Sequence, residues 1–126
     1  MKQELIVNTI TPAKYFGKLF EARDVIHLSH LAAIAKTFSN HVILDEFYKE
    51  ILEKTDEIIE TYQGMEGIVD ITIPSSTKQE PIPYLQELLK QTIQVRNSFK
   101  SKGIQAIVDE IEVMILQTLY KLINLK

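Results

Sequence analysis

Apolar residues recur along this chain at intervals of three and four, the repeat of one face of a helix and not the alternation of a strand. The first stripe follows Thr11-Pro12, a capping residue and a proline suited to a first turn. It runs through Phe16, Phe20, Arg23, His27, Leu31 and Ile34, with His30 beside it, and predicts a helix over 12–37. Ser39-Asn40 offers capping side chains for a second helix over 40–63. Its inner face carries Leu44, Tyr48, Ile51, Leu52, Ile58, Ile59 and Tyr62, and Gly64 and Gly67 stop it. From Gly67 to Pro83 the β-branched alternation of IVDITIP predicts a short extended segment, then a polar loop. Leu85, Leu88, Leu89, Thr92, Val95 and Phe99 mark a third helix over 82–101. The stripe from Ile104 through Ile107, Val108, Ile111, Ile115, Leu119 and Leu122 marks a fourth over 104–123. Two helical hairpins joined by one longer crossover make an all-α four-helix bundle, a single domain over residues 1–126.

Bulk composition narrows the function classes. A net charge of -3, from 17 acids against 14 bases, supplies no general attraction to phosphate backbones or anionic lipid, so direct nucleic-acid binding is not expected. Cysteine is absent, which removes disulfides, thiolate metal sites and redox thiols. The start, MKQELIVNTITPAK, lacks the pattern of a secretory signal, and no run approaches the ~20 apolar residues of a membrane span. The expectation is a cytoplasmic protein with no membrane partner. No phosphate-binding glycine loop, HExxH or nucleophile with a spaced base occurs.

Placing the polar residues on the helices brings out a candidate metal centre. All three histidines, His27, His30 and His41, fall within fifteen residues. On the second helix His41, Asp45, Asp56 and Glu60 border the apolar stripe, at intervals of four, eleven and four. Imidazole with carboxylate suits iron, manganese or zinc, and a cation would relieve the cost of desolvating the acids. Asp56 and Glu60, at i and i+4, can grip one ion from a single helix. Asp45 and Asp56 lie roughly 16 Å apart along the axis, so one helix cannot close a shell. Two separate sites, or one site assembled from different subunits, must follow. Arg23 on the inner face points to pairing with Asp45 or Glu112, and His27 to a core hydrogen bond with Asp24, Arg23 or a tyrosine.

The segment from His41 to Gly67 resembles the second helix of the Dps-type miniferritins, small ferritin-like proteins that oxidise iron. That family carries a histidine and three acids at the intervals of His41, Asp45, Asp56 and Glu60, followed by positions like Gln63-Gly64 and Gly67. An upstream family histidine corresponds to His30, with a one-residue deletion in the connecting turn. The resemblance covers roughly residues 15 to 67; the last two helices match in helical pattern alone. It implies a homo-oligomer with a ferroxidase centre between subunits. His30, His41 and Asp45 would come from one chain and Asp56 and Glu60 from its neighbour, with iron or another divalent metal bound and no catalytic residue beyond the ligands. The tail has no lysine-rich tract, so contact with DNA is not carried over.

A second reading keeps the fold and drops the chemistry. Spacings of four occur on any amphipathic helix, so the acids also read as a solvated edge paired with Lys49 or Lys54. The chain also resembles small ferritin-like helical proteins of bacteriophages, which implies a structural or interaction role in a virion or as an accessory protein. The apolar last helix suits subunit contacts under either reading.

Overall fold

The computed structural model describes residues 10–32 and 37–125. Four helices account for most of them: α1 (Pro12–Leu31), α2 (Phe38–Glu66), α3 (Pro81–Val95) and α4 (Lys102–Asn124). A 3₁₀ turn, Arg96–Ser98, follows α3. The fold is an all-α four-helix bundle, and no described helix is long and apolar enough to cross a membrane.

Local chemistry sets the helix ends. Thr11 caps α1 by accepting from the Lys14 N–H (3.3 Å), with Pro12 in the first turn as expected. The cap of α2 is Thr37, which accepts from the Asn40 N–H (3.0 Å), so the helix begins two residues before the expected position. Gly67, at φ 89°, ends α2 where a β-carbon would be strained, and its N–H closes on the Gln63 carbonyl. Two further boundaries differ from those expected. α1 ends at Leu31, short of the expected 37, and residues 33–36 lie outside the described residues. α3 stops at Val95, because Ser101 serves as the N-cap of α4 through the Ile104 N–H (3.3 Å) and the chain must turn before it.

α1 packs on α2, α2 on α4, α4 on α3 and α3 on α1, which leaves α1 and α4 on opposite corners. Lys121–Glu46 and Lys54–Glu110 contacts run in opposite chain directions, making α2 and α4 antiparallel. Tyr15–Thr92 and Glu21–Tyr84 do the same for α1 and α3. The two hairpins are therefore joined by a crossover that travels the length of the bundle, the single-crossover arrangement read from the sequence. That crossover lies along α1. Thr72 approaches the helix at Gly17, where an added β-carbon would collide with the Thr72 carbonyl, and Ser29 Oγ donates to the Gln79 carbonyl (2.8 Å).

The core is one continuous cluster with Phe16, Leu19, Ile26, Leu44, Phe47, Ile51, Ile58, Leu85, Leu88, Ile111 and Ile115 at its centre. At one end Phe16, Tyr62 and Phe99 meet with ring centroids 5.3–6.1 Å apart, which brings the chain after α3 back onto the core. Burial of Tyr15 demands a partner for its hydroxyl. Thr92 Oγ1 already donates to the Leu88 carbonyl, so Tyr15 donates to Thr92 (2.8 Å).

Candidate metal centre

The mouth of the α1–α2 hairpin brings three of the five expected ligands together. His30 Nδ1 lies 2.9 Å from the His41 carbonyl oxygen, and His41 Nδ1 lies 3.2 Å from the His30 carbonyl oxygen. A carbonyl only accepts, so each Nδ1 carries the proton, and in the neutral ring the lone pair sits on Nε2. The two rings stack at 3.8 Å. This reciprocal clasp also satisfies the His30 carbonyl, one of the last four of α1 that find no partner within the helix.

His30 Nε2 lies 3.8 Å from Asp45 Oδ1. The other carboxylate oxygen is taken: Lys49 Nζ stands 2.9 Å from Asp45 Oδ2, one helical turn on. The Lys49 hydrogen bond holds the Asp45 carboxyl below its ordinary range. Asp45 thus sits in the paired, solvated edge that its spacing also allowed.

Asp56 and Glu60 are exposed on the outer side of α2 and do not reach this cluster. About 16 Å of helix separates Asp45 from Asp56. Among the described residues no group of three or more histidine, aspartate or glutamate side chains stands close enough to hold one ion. The donors of a single chain at this cluster, Nε2 of His30 and of His41 and one oxygen of Asp45, are not brought close enough to complete a metal shell.

Other expected partners are rearranged. Among the described residues His27 has no side-chain hydrogen bond with Asp24, Arg23 or a tyrosine; its ring stacks on Tyr48 at 4.1 Å, nearly parallel. Arg23 pairs with its neighbour Asp24 (3.2 Å) and not with Asp45 or Glu112, because its side chain lies a third exposed at the bundle edge. Tyr62 packs in the aromatic cluster.

The chain matches one family, described as a family of unknown function (DUF5856), over residues 30–122. The chain belongs to it. The matched region begins at His30, contains His41, Asp45, Asp56 and Glu60, and ends within α4. No curated protein and no solved structure matches the chain.

A polar feature outside the hairpin was not read from the sequence. Glu21 is buried on α1, where it accepts from the Tyr84 hydroxyl (2.7 Å) and from Lys18 Nζ (3.1 Å). These residues line an open cleft of about 420 Å³ with Gln79, Glu80, Pro83 and Glu87. Among the described residues no buried side-chain polar atom lining this cleft lacks a partner, which fits a network tying α3 to α1. Lys18 and Glu21 at i and i+3 were visible as a pair, but Tyr84 joins them across 63 residues of sequence.

Proposed function

We propose that this chain is a non-catalytic ferritin-like structural or interaction protein that works through its helical faces. The observation that carries this reading is the outer side of α4, where Val113, Leu116, Tyr120 and Ile123 stand 45–60% exposed at helical spacing. Two features of the hairpin support it: Lys49 occupies Asp45, and one ring nitrogen of each of His30 and His41, Nδ1, serves the turn itself. Under this reading the protein resides in the cytoplasm, or in a virion if a phage encodes it. The test is addition of ferrous iron to purified protein in air, followed by near-ultraviolet absorbance. Oxidation at the rate of the buffer blank is expected; a fast, protein-dependent rise would contradict the reading.

A second reading is favoured by the protonated Nδ1 atoms, because that anchoring orients Nε2 as it does in histidine ligands. Here a cation would be held between copies, with His30, His41 and Asp45 from one chain and Asp56 and Glu60 from the next, and ferrous iron as the cargo. Complementation tests it. The double variants His30→Ala/His41→Ala and Asp56→Ala/Glu60→Ala would each fail to bind cobalt(II), and mixing them would restore about a quarter of the sites, since half of the randomly exchanged pairs are mixed and each mixed pair forms one intact constellation of two. Retained binding in either variant alone would exclude this arrangement.

A further inference from the structure

Two corner helices of the bundle, α1 and α4, carry apolar residues on more than the side that faces the core. For α1 the chain supplies the cover, since the crossover runs along it past Gly17 and Ser29, with Val69 and Ile71 packed against the core. α4 stands at the opposite corner from α1 and the crossover, and its second stripe stays open. Val113, Leu116, Tyr120 and Ile123 are 50, 45, 60 and 45% exposed.

The stripe does not end at the edge of α4. Arg96 and Asp109 are joined by two hydrogen bonds, at 2.6 and 3.0 Å, which fixes the register of the antiparallel α3–α4 hairpin. Counting one heptad back along α3 and one forward along α4 sets Leu89 level with Leu116. A second heptad sets Ile82 level with Ile123. Ile82 and Leu89 are partly buried, and Ile93, on the same side of α3, is 51% exposed. The two helices therefore present one apolar face, two helices wide and roughly 16 Å long.

Charge decides what covers it. Around a two-fold axis a residue near the axis meets its own copy, so any net charge there would face a like charge. The charges on this face balance: Asp109 and Glu112 on α4 both act on Arg96, exposed Lys90 stands beside Leu89 on α3, and Gln86 is neutral. Asp109 is neutralised within the chain by the Arg96 guanidinium. A face without net charge, carrying a tyrosine and branched aliphatics, is composed like a homodimer interface. Its modest size places it near the lower end of specific interfaces, about 600 Å² per partner.

We infer that the α3–α4 face docks onto the same face of a second copy of this chain, with Leu116 near the two-fold axis. This rests on the reading that the protein works through its helical faces, and it names the partner. The interface leaves the α1–α2 hairpin, with His30 and His41, uncovered. Dimerisation and any cation binding are therefore separable properties.

Sedimentation velocity over a concentration series, from about 1 to 300 µM, tests it. The wild-type chain should pass from one to two copies in mass. Leu116→Glu should weaken association at least tenfold, while Leu52→Glu, on α2 and 38% exposed in the wild type, should leave it unchanged. Circular dichroism shows whether each variant remains helical; Tyr120→Ser, milder at a 60% exposed position, replaces Leu116→Glu if the latter unfolds. A monomer throughout the series overturns the inference, as does a dimer indifferent to substitutions at positions 116 and 120. Neither result touches the iron-oxidation test, so failure of the dimer is distinguishable from failure of the non-catalytic reading.

Discussion

Single residues carry more of this fold than the helical pattern suggests. Gly17 is the sharpest case, because a methyl group there would drive into the Thr72 carbonyl, a backbone atom held by the crossover. Alanine is the better helix former by about 1 kcal/mol, yet here overpacking should win. Gly17→Ala is expected to lower stability by about 2 kcal/mol in denaturant titration, and a stabilised variant would show that the crossover yields freely. Tyr15 and Tyr84 make a second case. Burial pushes both phenols well above the ordinary tyrosine range, and the Glu21 carboxylate adds to the shift at Tyr84. A raised pKa in the folded state gives stability that is complete below about pH 10 and is lost as pH rises through the folded value. Both should stay protonated at about pH 11 while the chain is folded. Tyrosinate absorbance reaching all five tyrosines before helicity is lost would contradict this.

At the scale of elements, the ends of helices and the joints between them hold the testable energetics. Thr37 caps α2, and Thr37→Ala should cost about 1 kcal/mol by thermal or denaturant melting. Its role was missed in the sequence because Ser39-Asn40 has equally good capping chemistry; Ser39 instead donates to the Leu125 carbonyl and ties the start of α2 to the end of α4. The Arg96–Asp109 joint has a pH signature. The Arg96 hydrogen bonds hold the Asp109 carboxyl below its ordinary range. A depressed pKa contributes stability that is present above about pH 4 and is lost as pH falls through the folded value. Asp109→Asn should therefore flatten the acid limb of the stability profile and leave the limb above pH 6 parallel to wild type. An unchanged acid limb would mean that the joint is not formed in solution.

Across the whole molecule, the sequence was most legible where periodicity was continuous. The stripes through Leu44 to Tyr62 and Ile104 to Leu122 give α2 and α4 to within a few residues, and the long link after Gly67 gives the single crossover. What the pattern could not supply was tertiary pairing. Asp45, Asp56 and Glu60 share an edge in projection, but Lys49 takes the first and solvent the other two. Arg23 and His27 looked inward by angle, yet the side chains reach Asp24 and Tyr48 because length and stacking let them leave the core. The outer stripe of α4 was readable as excess apolarity, but its isolation followed only once the crossover was seen to lie on α1. The central claim is that this stripe, with α3, is the working face of the protein. The chain has no cysteine of its own, so a single Leu116→Cys substitution allows that claim to be tested by oxidative cross-linking. The account predicts a disulfide-linked dimer at low micromolar protein from Leu116→Cys and none from Glu53→Cys, an exposed position on α2; equal cross-linking at both positions, or none at 116, would contradict it.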